Sequence, residues 1–162
     1  MRETTTTTHA DAVKDSAVSE SLDTWAGSLG VLRPRACGNC QACCTSMRIA
    51  ELDKPQNTRC PNQCPTGCAI YPTRPESCGK WSCLWLLGET SGEGIFRNMA
   101  RPDRCGVILH AEDGKVYAVE VSPGSMLGHE AQRVLAYVRR RAKFLTLCFA
   151  DGTRREERRP LR

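Results

Sequence analysis

The stretch Cys37-Gly38-Asn39-Cys40-Gln41-Ala42-Cys43-Cys44, followed by Cys60, Cys64, Cys68, Cys78 and Cys83, decides how this chain folds. Nine of the eleven cysteines fall within forty-seven residues. A thiol packs as a small hydrophobe, and Ala or Val would fill the same space without being oxidised, so this density points to ligands or disulfides. Compartment decides between the two. The chain opens on a polar, low-complexity tail with five consecutive threonines (Thr4 to Thr8), with neither the apolar core of a secretory signal nor a membrane span. A cytoplasmic location with no membrane partner is therefore expected, and there thiols stay reduced. The odd total of eleven also argues against a fully paired disulfide scaffold.

Two cysteines separated by two residues reach one ion because the intervening turn points both sulfurs inward. That spacing occurs at 37/40 and again at 40/43, and Cys44 follows at once. Adjacent residues rarely serve one tetrahedral ion, so Cys43 and Cys44 are expected to point to opposite sides, making room for two metals or for one metal and a reactive thiol. With Cys60, Cys68, Cys78 and Cys83 as distal ligands, eight sulfurs suit two four-cysteine sites or one cluster with spares. All-sulfur ligation serves zinc and iron alike, and no open histidine or carboxylate position marks a hydrolytic zinc. The triplet Cys60, Cys64, Cys68 approaches the arrangement of radical enzymes that use S-adenosylmethionine, but its last spacing is wrong and no barrel pattern follows.

The pattern Cys37-x-x-Cys40-x-x-Cys43-Cys44, then Cys60, then Cys68-Ala69-Ile70-Tyr71-Pro72-Thr73-Arg74-Pro75-Glu76-Ser77-Cys78 and Cys83, resembles the CxxCxxCC cysteine-cluster family of zinc- or iron-chelating domains. The resemblance covers residues 37 to 83, and its Cys-x-Ile-Tyr-x-x-Arg-Pro-x-x-Cys segment is the more specific half. It implies that Cys37, Cys40, Cys43, Cys44, Cys60, Cys68, Cys78 and Cys83 are the metal ligands, with zinc or an iron-sulfur cluster as the cofactor. Cys64 is an extra within the usual gap. Arg74 is placed either to offset thiolate charge or to sit solvated in a turn, while Pro75 stiffens the approach to Cys78.

Outward from the cluster, residues 12–36 are expected to form an N-terminal helix, its apolar face on Val13, Val18, Leu22, Trp25 and Leu29, and a linker through Pro34. The Cys-rich module spans 37–88. Met47 to Leu52 reads as a short strand or helical turn, Asp53 to Pro72 as loop wrapped on a metal, and Cys78 to Leu87 as a short helix packed against the site through Trp81, Leu84, Trp85 and Leu86. Without metal this half is expected to be poorly ordered. Gly88 to Arg97 reads as a flexible connection.

Residues 89–153 read as a ββαβ layer. Val107–His110 and Val116–Val121 form a hairpin about Asp113-Gly114, and a helix from about Ser125 to Ala142 carries an apolar stripe of Leu127, Ala131, Val134, Leu135, Val138 and Ala142. Phe144 to Phe149 is the last strand, and 154–162 a mobile basic tail. The fold class expected is α+β: an irregular, metal-organised Cys-rich module plus a small ββαβ layer. Cys148 reads as a buried structural thiol, Cys105 as a marginal further ligand, and His110 and His129 as satisfied or exposed side chains rather than ligands. His9 falls in the tail.

The formal charge of +5 is uneven: residues 1–36 carry −1, 37–105 carry +2 and 106–162 carry +4. Four thiolates around Zn²⁺ or a [4Fe-4S]²⁺ cluster leave a site of −2, so one such site lowers the total to +3 and two lower it to +1, which weakens any case for nucleic acid built on the bare isoelectric point. Residues 131–162 hold ten basic and three acidic side chains, with Tyr137, Phe144 and Phe149 as the aromatics and the arginines clustered at a helix end and in the tail. Solubility or an acidic partner surface therefore explains them at least as well as phosphate contacts. The function expected is metal binding through the cysteine cluster. The alternatives are an iron-sulfur redox or electron-transfer protein and a metal-stabilised nucleic-acid or protein-binding adaptor. No catalytic constellation is recognised.

Overall fold

A computed structural model describes residue 35 and residues 37–87 and 101–159. The expected N-terminal helix, threonine-rich tail and Gly88–Arg97 connection lie outside the described residues. The chain has both helices and sheets, an α+β architecture. No helix among the described residues is long and apolar enough to cross a membrane.

The C-terminal half is a four-stranded sheet in the order β3-β4-β5-β6. Strands β3 (Val107–Glu112) and β4 (Lys115–Glu120) form the expected hairpin. Asp113 and Gly114 both have positive φ, 48° and 71°, which a tight two-residue hairpin turn requires. A 3₁₀ turn at Ser125–Leu127 precedes the long helix α5 (His129–Arg141), and β5 (Phe144–Cys148) returns parallel to β4. Beyond the expected layer there is one more strand, β6 (Arg154–Arg158), antiparallel to β5. The basic tail is thus corrected in part: five of its residues complete the sheet. Their alternation is polar on both faces, so no apolar period marked them, and the strand forms because the turn at Asp151-Gly152 folds it back on β5.

Period-2 alternation gives the sheet two apolar faces. Val107, Leu109, Val116, Ala118, Leu145 and Leu147 face α5 and bury Ala131, Val134, Leu135 and Val138. Five members of the expected helical stripe are in this core, but Leu127 is 79% exposed, because Gly128 ends the 3₁₀ turn and α5 starts only after it. The opposite face presents Ile108, Val119 and Cys148, and the Cys-rich module covers them with Ala42, Cys83 and the flanking Met47, Trp81, Trp85 and Leu86. Ser46 Oγ donates to Val121 O at 3.5 Å and Asn57 Nδ2 to Ala150 O at 2.6 Å, tying module to sheet.

Short pieces make up the module: α1 (Ala42–Ser46), a 3₁₀ turn at Ala50–Leu52, a two-residue hairpin of β1 (Gln63–Cys64) and β2 (Gly67–Cys68), a 3₁₀ turn at Tyr71–Thr73, α2 (Glu76–Lys80) and α3 (Leu84–Leu87). The one helix expected at Cys78–Leu87 is two, and Trp81-Ser82-Cys83 passes between them in extended form. Helix α4 (Pro102–Cys105) then leads into β3 through Gly106, whose φ of 83° and 2.8 Å Cβ clearance from Ser125 O leave room for glycine alone.

Candidate metal centre

The thiols are brought together by local structure that the spacing dictates. Cys40 N–H donates to Cys37 O at 2.9 Å, closing the first turn, and Cys43 and Cys44 follow on α1. Gln41 reaches from the start of α1 to the carbonyls of Cys64 and Gly67, which fixes the β1-β2 hairpin and with it Cys68. Glu51 accepts from both the backbone N–H of Ser77 at 3.0 Å and its hydroxyl at 2.9 Å, holding the start of α2 and so Cys78. Cys83 lies just before α3.

These pieces enclose one cavity of about 250 Å³ whose walls include Cys37, Cys40, Cys43, Cys44, Cys60, Cys68, Cys78 and Cys83. All eight expected ligands line it. The other three cysteines do not. Cys64 hydrogen-bonds Thr66 on the hairpin. Cys105 is buried in the α5-side core, its thiol 3.4 Å from Val107 O, and Cys148 is buried beneath the module. No Asp, Glu or His lines the cavity, whose remaining wall is largely apolar, with Trp81, Trp85, Leu86 and Ile108. The donor chemistry present is therefore soft sulfur alone. All eleven cysteines are free thiols. As placed, no three Cys, His, Asp or Glu side chains among the described residues converge into a group that could hold an ion. The thiols surround a common space without being drawn to one point.

One expectation is corrected. Cys43 and Cys44 do not point to opposite sides; both face the cavity, and one thiol hydrogen-bonds the other. A single helical turn rotates successive side chains by only about 100°, which a wide cavity accommodates. That hydrogen bond holds the proton on Cys43, whose pKa is raised, and lowers Cys44 to about 7. Burial raises Cys37, Cys40, Cys78 and Cys83, the last to about 11. Backbone N–H groups oppose burial at three of them, its own at Cys37, those of Ala42 and Asp103 at Cys40 and those of Leu86 and Trp85 at Cys83.

Besides the exposed Arg48 on the cavity wall, three cations lie around the thiols. Arg74 lines the cavity with its guanidinium 4.1 Å over the Tyr71 ring, and its charge lowers the pKa of Cys37, so the charge-offsetting placement is the observed one. Arg101 donates to Cys37 O at 3.4 Å and pairs with Asp103 at 2.8 Å. The third was not legible in the sequence. Lys54 is only 3% exposed, and its ammonium donates to the carbonyls of Thr45, Met47 and Pro55. Burial lowers its pKa, while Cys60, Cys44, Cys43 and Cys78 favour its charged form. A lysine beside a proline in a polar loop carries no local signal of burial. His110 is buried, stacked on Tyr117 at 4.8 Å, and His129 is exposed beside Glu130; neither lines the cavity.

Comparison with protein-family models, with curated proteins and with solved structures finds no match. The functional reading rests on the residues themselves.

Proposed function

We propose that this chain is a metal-binding protein whose cavity thiolates hold zinc or an iron-sulfur cluster. One observation carries the reading: the eight cysteines that spacing and the resemblance to the CxxCxxCC family single out line one cavity, and the three they leave out do not. Bound there, zinc would supply a structural cross-link, and an iron-sulfur cluster an electron-transfer centre. The residues around the cavity fit either. Lys54, Arg74 and Arg101 offset the negative charge that several thiolates create, backbone N–H groups at Cys40 and Cys83 favour the deprotonated sulfur, and the Trp81, Trp85 and Ile108 wall limits water.

The test is elemental analysis and an absorption spectrum of protein purified without oxygen. One or two zinc ions in colourless protein, or iron and sulfide in coloured protein that bleaches reversibly on reduction, is the expected result. Folded protein that contains no metal and takes up neither Zn²⁺ nor iron and sulfide on reconstitution would overturn the reading.

A further inference from the structure

The net formal charge of the chain is gathered around one edge of the fold, with Arg154 and Arg158 on one face of the sheet and Arg155 and α5 on the other. Residues 139–159 hold eight Lys and Arg against three Asp and Glu, whereas the rest of the chain holds fifteen of each. The fold gathers this charge rather than spreading it. Because β5 leaves α5 directly and pairs antiparallel with β6, Phe144 lies opposite Arg158, so the end of α5 and the end of β6 are neighbours. Arg159 N–H donates to Lys143 O at 3.0 Å, and its guanidinium to Arg140 O.

Little of this charge is neutralised internally. Glu157 pairs with Arg139 at 2.7 Å and with Arg155 at 3.1 Å, and Asp151 accepts from Thr153. Among the described residues, Arg140, Lys143, Arg154, Arg158 and Arg159 form no ion pair. The fold sets the aromatics of this segment against its cations. Phe144 has Lys143 and Arg158 each 5.4 Å from its ring centre, Phe149 lies 5.9 Å from Arg155, and Tyr137 lies 4.0 Å from Arg141. Long cationic side chains held against rings lose less freedom on binding, and their flat guanidinium faces remain suited to stacking.

A charged edge strand also discourages sheet-to-sheet aggregation, but that purpose is met by a few charges of either sign on the strand. It does not account for the cationic excess that runs from β6, where Glu156 and Glu157 sit among three arginines, onto the end of α5. The helix dipole accounts for Arg139, Arg140 and Arg141 alone. We infer that the surface formed by the end of α5 and strand β6 binds single-stranded nucleic acid, the cations engaging phosphodiester groups and the arginine-aromatic pairs accepting unpaired bases. This activity is separate from the metal cavity and does not rest on it.

Fluorescence anisotropy of the full chain, at measured metal content, with oligouridine RNA and oligothymidine DNA of about twelve nucleotides is the test. With roughly four phosphate contacts, log-log salt dependence is expected near a slope of about −2.8, so affinity falls about fifty-fold between roughly 50 and 200 mM salt. Whichever of the two binds more tightly names the source of the backbone. Arg154→Gln with Arg158→Gln should make the slope shallower by about 1.4. Arg140→Gln, on α5, should make it shallower by about 0.7, and keeps the test available if the strand variant is unstable. No binding at the lowest salt, variants that bind like the parent chain, competition by polyglutamate as strong as by the oligonucleotide, or tighter binding of a duplex of the same length would each overturn the inference.

Discussion

Replacing Lys54 by Met probes how the module tolerates so many sulfurs around one space. The side chain is 3% exposed and its ammonium serves three backbone carbonyls, those of Thr45, Met47 and Pro55. Methionine keeps the length and apolar stem but offers no donor. Pro55 is exposed, so water can replace the ammonium there; the Thr45 and Met47 carbonyls are half-buried. At about 1.5–3 kcal/mol for each hydrogen bond to a charged group, losing two costs about 3–6 kcal/mol, comparable to breaking a buried charged pair. The backbone bridge between Ile49 and Lys54 does not need the side chain, so the loss is confined to the ammonium. If metal binding and ordering of the module are coupled, 3 kcal/mol corresponds to roughly a hundred-fold weaker apparent metal affinity. Denaturant unfolding of loaded protein and chelator competition measure both effects. Arg59→Met is the control, since it removes the same formal charge from an exposed side chain that does not line the cavity and should stay within about 0.5 kcal/mol. A Lys54→Met protein within about 1 kcal/mol of the parent, with unchanged metal affinity, would refute the reasoning.

Other outcomes follow from the same contacts. Cys83→Ser or Cys78→Ser should lower bound metal per chain or its affinity, whereas Cys64→Ser should leave both unchanged, because Cys64 does not line the cavity; equal effects at all three would contradict the site. Gly106→Ala should destabilise by about 3 kcal/mol, combining the cost of positive φ with a Cβ 2.8 Å from Ser125 O, and thermal unfolding reads it directly. Chelated, reduced protein should lose stability as pH rises above the ordinary thiol range. Buried thiols such as Cys83, raised to about 11, bind more protons folded than unfolded, so their contribution is full below the unfolded value and lost as pH rises through about 11. Cys83 alone accounts for about 2–3 kcal/mol of this. Cys44 acts in the opposite sense, but its gain is complete once pH passes the unfolded value. Melting temperatures at pH about 9 and 11 that are equal, or rise, would contradict this balance. Hydrogen exchange after metal removal should speed up across residues 37–83 while 107–111 and 144–148 stay protected, since the α5-side core takes only Leu84 and the flanking Trp85 from the module; uniform loss of protection would show the two halves unfold as one.

What the sequence determined by itself is whatever depends on neighbours a few residues away. Alternation of Val107, Leu109, Val116 and Ala118 and the Asp113-Gly114 turn specify a hairpin, the 3.6-residue period from Ala131 to Ala142 specifies α5, and two-residue gaps bring Cys37 and Cys40 into one turn with Cys43 on the helix that follows. Those signals are local because backbone geometry repeats over two to four residues. Tertiary structure alone decided the rest. It kept Cys64 and Cys105 out of the cavity, turned Cys43 and Cys44 to the same side, and buried Lys54 among carbonyls supplied by Thr45, Met47 and Pro55. It also paired the polar strand Arg154–Arg158 with β5 and set aromatics beneath cations that the linear chain keeps apart. Each of these depends on which surfaces meet when the module closes over Ile108, Val119 and Cys148, or when β6 finds the open backbone edge of β5. Burial and long-range hydrogen bonds, not local period, choose those partners.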